Sequence, residues 1–204
     1  MITIIDYGLG NIKAFENVYS RLNIKVNVAR KAADILSSSK LILPGVGSFD
    51  YAMTLLNDSG FRPAIEQKVL EDNTPIIGIC VGMQMMASTS EEGILPGLGW
   101  IKGKVKLFDE SKIDFKTKLP HMGWNNIEIQ KSTKLFDGLD NSSRFYFLHS
   151  YYFECDDNED ILAIADYGVK YTCAINHKNI YGIQFHPEKS HNNGVCLLEN
   201  FSKL

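Results

Sequence analysis

The sequence predicts an α/β chain: a mostly parallel sheet with flanking helices, carrying an antiparallel strand extension. Three observations lead there. Over residues 1–80, short apolar runs alternate with helix-length segments, the pattern of strands paired in parallel with helices packed on the sheet. Beyond that point the helix-length segments give way to closely spaced strand candidates joined by turns. No linker, low-complexity tract or internal repeat divides the 204 residues, so 1–204 reads as a single domain.

Ile2–Ile5 is apolar and β-branched and reads as the first strand, followed by a helix over Asn11–Arg21. Lys25–Ala29 is a second strand, Ala32–Leu36 a short helical turn, and Leu41–Leu43 a third strand. Phe49–Leu56 and Pro63–Leu70 read as helical, and the apolar run Pro75–Cys80 as a buried strand closing the series. Met83–Ser88 then has apolar residues at helical spacing. In the second half, Trp100–Leu107, Trp124–Ile129, Arg144–Glu154, Ile161–Asp166, Val169–Ile175 and Ile180–Phe185 are strand candidates, and Gly194–Phe201 is a terminal helix.

Composition narrows the function classes. Hydrophobic residues at 45% and charged residues at 22% are ordinary for a soluble globular protein. A net charge of −3 argues against nucleic acid as the main partner. No apolar run is long enough to cross a bilayer, so no membrane association is expected, and Met1–Asp6 reads as a strand and not as a signal peptide. Cysteines 80, 155, 173 and 196 show no Cys-x-x-Cys spacing, which suggests neither a zinc site nor a disulfide framework. The expectation is a cytoplasmic protein with no metal or cofactor; Asp6–Asn11 is half a dinucleotide fingerprint whose third glycine is replaced by Lys13.

The chemistry lies in two segments. Gly-Ile-Cys-Val-Gly-Met-Gln at Gly78–Gln84 puts Cys80 at a strand-to-helix turn between two glycines, an elbow that lifts a side chain out of the sheet. A thiol at a helix N-terminus also feels the positive end of the helix dipole, which favours the thiolate. By itself this fits a buried core cysteine equally well. Gln-Phe-His-Pro-Glu at Gln184–Glu188 decides the matter by supplying His186 as a base at a strand's carboxyl end and Glu188 to orient it. Leu43–Phe49, with Gly45 and Gly47, ends the third strand beside Cys80 and offers backbone donors for an oxyanion, although an ordinary turn explains it locally. His149, Ser150 and Tyr151 stand at a strand end where they bind a polar substrate or satisfy an edge. Trp124 sits in a loop-like setting as a partner-facing anchor or a lid.

These motifs, with Ile5–Asn11, Ser90–Gly93, Gly97–Trp100, Pro120–Asn125 and Tyr146–Tyr151, make the chain resemble the class I glutamine amidotransferases end to end. Within them it most closely resembles the HisH family of glutaminase subunits of imidazole glycerol phosphate synthase. The resemblance implies a flavodoxin-like fold and hydrolysis of glutamine to glutamate and ammonia by Cys80, His186 and Glu188. It implies substrate contacts from Gln84, Glu92, Ser150 and Tyr151, and oxyanion contacts from Gly47 and the Val81 amide. It further implies a heterodimer with a HisF-type (β/α)8 barrel that receives the ammonia for histidine biosynthesis, with Asn11, Trp124 and Lys189 at or near the contact. Two other readings stand beside it. One is a HisH-like paralogue feeding a HisF-like partner for amidino-sugar synthesis in surface polysaccharide. The other is a cysteine hydrolase of the PfpI type, against which His-Pro-Glu and Gln84 speak.

Overall fold

In the computed structural model, which describes residues 1–116 and 118–204, the apolar runs of the first half become the centre of one large sheet. Strands β1 (Ile2–Ile5), β2 (Val26–Ala29), β3 (Lys40–Gly45) and β4 (Ile76–Cys80) pair in parallel. β1 and β4 are buried along their whole length, as strands covered on both faces must be. Between them run α1 (Ile12–Arg21), α2 (Ala32–Leu36), α3 (Phe49–Asp58) and α4 (Arg62–Glu66), the last continuing as a π turn over Gln67–Glu71. α1 buries Phe15, Val18 and Tyr19, spaced three and four apart, on a single stripe. The Tyr19 hydroxyl donates to the Leu198 carbonyl at 3.0 Å, tying α1 to the terminal helix α6 (His191–Lys203).

After β4 comes the one-turn helix α5 (Val81–Gln84), then β5 (Thr89–Ser90), β6 (Gly103–Leu107), β7 (His121–Asn126) and β8 (Glu128–Ile129). β9 (Arg144–His149), β10 (Tyr151–Cys155), β11 (Ile161–Asp166), β12 (Lys170–His177) and β13 (Ile180–Ile183) complete the strands. The main sheet has the order β2-β1-β3-β4-β13-β12-β10-β6-β5, with β11 and β8 paired off β12. β13 is parallel to β4, and from β13 outward β12, β10 and β6 join antiparallel, so the α/β core with an antiparallel extension is what forms. β7 and β9 make a separate two-stranded antiparallel sheet.

Four expectations need correction. The helix expected over Met83–Ser88 is the single turn α5, because the Met85, Met86 and Ala87 backbone accepts hydrogen bonds from Leu98 to Ile101 instead of continuing a helix. Trp100–Leu107 shortens to β6, beginning at Gly103. Arg144–Glu154 is two strands in two different sheets, broken at Ser150, a division that its continuous strand-forming composition does not announce. The strand candidate Trp124–Ile129 is two strands, β7 starting three residues earlier at His121 and β8 at Glu128, so Trp124 lies inside β7 opposite Tyr146 and not in a loop-like setting.

Pro44 sits inside a central strand, where a proline normally breaks the ladder. The Leu41 N–H donates toward β4, to the Pro75 carbonyl, so alternate residues, Pro44 included, face β1. Pairing with β1 ends at Ile42, so the missing N–H costs no bond. The Pro44 carbonyl on that side accepts from the Tyr7 hydroxyl at 2.7 Å.

The backbones of β3, β4 and α5 meet closely at Gly82: a Cβ there would lie 2.0 Å from the Leu43 carbonyl oxygen. Replacing Gly82 with alanine is expected to lower unfolding stability by roughly 2 kcal/mol or more, since neither backbone can yield without moving a central strand. Chemical denaturation of the two proteins checks this, and equal midpoints would contradict it.

Candidate active site

β4 is apolar and must stay in the sheet, while α5 must leave it at once, so the turn falls on one residue, Cys80. That residue has φ 55° and ψ −114°, a conformation that costs a side-chain-bearing residue about 1–3 kcal/mol and gathers at functional sites. It places Cys80 ahead of α5, whose first N–H, that of Val81, has no acceptor within its own helix. Cys80 and Val81 line a cavity of about 180 Å³ together with Gly47, His186 and the segment around Ser150.

His186 reaches this cavity because β13 pairs with β4 in the register Ile183 with Ile79, so the chain leaving β13 passes alongside Cys80. Its backbone is held on both sides. The His186 N–H donates to the Tyr146 carbonyl at 2.9 Å. The Ser190 hydroxyl donates to the His186 carbonyl at 2.6 Å and accepts from the Tyr146 N–H at 2.9 Å. Pro187 opens a tight 3₁₀ turn through Lys189 that brings Glu188 back to the ring, with Oε1 3.0 Å from Nδ1. The side chains of His186 and Glu188 are only 5% and 2% exposed, so their interaction is little screened by solvent. Burial opposes charge on the imidazole, but hydrogen bonds to Cys80 and Glu188, with the charges of both, outweigh it and push its pKa up to about 10. The arrangement favours an imidazolium between Cys80 and Glu188.

The cavity wall is polar on the opposite side. Glu92 Oε2 accepts from the Phe49 N–H at 2.9 Å, at the start of α3. Burial raises the Glu92 pKa, the Phe49 N–H lowers it, and the nearby charge of Asp50 raises it again, leaving it above its usual range. Asp50 secures the Glu92 loop by accepting from the Ile94 and Leu95 N–H groups at 2.9 and 3.0 Å. Gln84, 2% exposed, donates both amide hydrogens internally, to Gln184 Oε1 at 3.0 Å and to the Tyr151 carbonyl at 3.1 Å. For a ligand it has only its carbonyl oxygen to offer.

A cysteine elbow, a buried histidine and an acid closing on that histidine recur on unrelated folds, so the fold and chain-wide similarity decide the family. The sequence model of the family described as glutamine amidotransferase class-I matches residues 3–203. The chain belongs to the class I glutamine amidotransferases. It is 53% identical over 204 residues, all of both chains, to the imidazole glycerol phosphate synthase subunit HisH of Bdellovibrio bacteriovorus. It is 50% identical, again over all of both chains, to the subunit of the same name from Leptospira borgpetersenii. A solved glutamine amidotransferase, 19% identical, superposes with a TM-score of 0.73 over 98% of each chain and shows the common fold.

In this amidotransferase, Cys80, His186, Gln84, Glu92, Ser150, Tyr151, Gly47, Val81 and Lys189 all line the one cavity, with Glu188 behind His186. Gly47 is exposed with φ +84°, a conformation that suits glycine. Asn11 and Trp124 lie outside the cavity. Asn11 is exposed and follows Gly10, which is packed on Pro44. Trp124 stacks on His191, with centroids 5.0 Å apart and planes at 10°. Motif reading gave no separate role to Ser190, Gln184 or Asp50. Gln184 was visible only as the first residue of Gln184–Glu188 and Ser190 only as a residue two beyond it, and nothing local marks Asp50.

Replacing Glu188 with glutamine removes the anion that stabilises the charged ring. The pKa of His186 is therefore expected to fall from about 10, measurable by NMR titration of the imidazole; an unchanged titration would show that Cys80 alone sustains the shift.

Proposed function

We propose that this protein is the glutaminase subunit of an imidazole glycerol phosphate synthase, acting in the cytoplasm with a HisF-type (β/α)8 barrel partner. The observation that carries the chemistry is the buried His186–Glu188 pair beside the strained Cys80 elbow in a cavity with a carboxylate opposite. The pathway rests on relatives that carry the HisH name at 53% and 50% identity over their full lengths.

Glutamine enters with its α-ammonium toward Glu92 and the Gln84 carbonyl oxygen, and its α-carboxylate toward Ser150 and Tyr151. The Cys80 thiolate attacks the side-chain carbonyl carbon: a C–S bond forms and the carbonyl electron pair moves onto oxygen. The Val81 N–H and the Gly47 backbone receive that oxyanion. His186 gives its proton to the amide nitrogen, the C–N bond breaks, and ammonia leaves a thioester. Water then loses a proton to His186 and adds to the thioester; the C–S bond breaks, releasing glutamate and restoring the thiolate. Glu188 holds the ring's Nδ1 throughout, leaving Nε2 to face the sulfur.

Ammonia freed in this cavity needs an acceptor on another chain, and the surface beside it suits one. Trp124 is 38% exposed, and Lys189, which lines the cavity, lies over the Tyr146 ring at 5.8 Å. Trp124 and Tyr146 meet edge to face at 6.2 Å, which makes a rigid aromatic platform from β7 and β9.

Cys80→Ala is expected to abolish glutamine hydrolysis while the assembled synthase still works with added ammonium; surviving hydrolysis would end the assignment. Restoring growth to a histidine auxotroph that lacks its glutaminase subunit tests the pathway, and failure with an active, expressed protein would favour the surface-sugar paralogue. Glu92→Gln should raise KM for glutamine by roughly tenfold or more, the effect of losing a charged hydrogen-bond partner, with a smaller change in kcat. Because the Glu92 pKa is raised, it takes up its proton earlier as pH falls. KM should therefore climb on the acid side before an ordinary carboxylate would titrate, a rise that Glu92→Gln removes.

A further inference from the structure

Gln184 is fully buried one residue beyond the end of β13, and its Nε2 lies 3.7 Å from Cys80 Sγ. The two ends of a glutamine amide look alike in outline, so its orientation has to follow from its partners. Here the partners allow one answer. The Tyr151 carbonyl can only accept, so the group facing it at 3.1 Å must be the Gln84 NH₂. The second hydrogen of that NH₂ points to Gln184 at 3.0 Å, so the Gln184 end facing it must be the carbonyl oxygen. The other end, an N–H donor, is thereby turned onto the sulfur. Reversing Gln184 would set two NH₂ groups against each other and an oxygen against the thiolate.

The origin of the chain is itself anchored. The Tyr151 carbonyl also faces His149 Nδ1 at 2.8 Å. His149 is buried; burial, the neighbouring His121 and His186 lower its pKa, against the Tyr151 carbonyl, to about 3, so its ring is neutral and carries its proton on Nδ1. Its Nε2 in turn meets His121 Nδ1 at 3.2 Å and the Tyr171 hydroxyl at 3.3 Å. The carbonyl that dictates the amide orientations is therefore held by a packed cluster and does not swing freely.

We propose that Gln184 is a catalytic residue of the glutaminase: its amide N–H stabilises the Cys80 thiolate, and Gln84 is a positioning residue that holds it in that orientation. Hydrogen bonds to ionised acceptors are stronger than those to neutral ones, so the contact favours the thiolate over the thiol. The chain also joins the nucleophile to Tyr151, in the segment that takes the substrate carboxylate. The inference rests on Cys80 being the nucleophile, as in the reading above.

The test is the pH dependence of Cys80 alkylation by iodoacetamide in the full chain, followed on the Cys80 peptide by mass spectrometry so that the other three thiols do not contribute. Gln184→Met keeps the length of the side chain and removes the donor. Its alkylation midpoint should move to higher pH, and at pH values below that midpoint the rate should fall, about tenfold for one unit of thiol pKa. Gln84→Met should move the midpoint the same way by less, because the Gln184 amide loses its orienting partner. An unshifted midpoint in folded Gln184→Met overturns the proposal; should that variant not fold, an unshifted midpoint in Gln84→Met does so. Alkylation needs no glutamine, so the outcome is separate from the glutaminase reading, which fails only if the unaltered chain does not hydrolyse glutamine through Cys80.

Discussion

The close approach of three backbones, those of β3, β4 and α5, sets the geometry of everything around the nucleophile. β4 is pinned between β3 and β13, with both neighbours in parallel register up to its last residues. The chain must then leave the sheet within one residue, and the turn packs closely against β3. Gly78 and Gly82 make that passage possible: a Cβ on Gly78 would lie 2.5 Å from the Gly82 carbonyl oxygen. With both flanks filled by neighbouring backbone, the strain of the turn concentrates on Cys80 at φ 55°. The sulfur is exposed to the cavity because the fold leaves it nowhere else to go.

From that point the site is built by polar contacts that leave few alternatives. His186 is fixed through its own backbone by Tyr146 and Ser190, and its ring by Glu188, so the imidazole has one orientation and one protonated nitrogen facing the acid. On the other side of the sulfur, Gln84 and Gln184 form a buried chain ending at the Tyr151 carbonyl. Buried networks of this kind specify geometry because each member left without its partner would carry the full cost of desolvation. The sulfur thus lies between an imidazole and an amide, each oriented by a separate part of the chain.

Motif reading went far where the determinant is local. Cys80 between Gly78 and Gly82, and His186 followed by Pro187 and Glu188, are short segments in which residue type and spacing dictate the turn. It failed where the determinant is which strand becomes whose neighbour. Arg144–Glu154 has uniform strand composition, yet Ser150 divides it between two sheets, and the strand at Trp124 starts three residues earlier, at His121, where it pairs with β9. Such partners, 22 residues apart for Trp124 and Tyr146, leave no periodic trace. Asp50 holds the Glu92 loop from 44 and 45 residues away, a contact of backbone N–H groups that any residue could supply.

The sequence by itself determined the α/β class, the elbow at Cys80 and the partnership of His186 with Glu188, because strand burial, glycine freedom and a Pro-bounded turn act within a few residues. Only the tertiary structure decided that β13 would lie beside β4, that Tyr151 would point its carbonyl at Gln84, and that Gln184 would therefore turn its N–H toward the sulfur. The reason is that a strand's neighbours and a buried amide's orientation are set by long-range pairing and by the polarity of the atoms they meet, and neither quantity is written in the residues' own spacing.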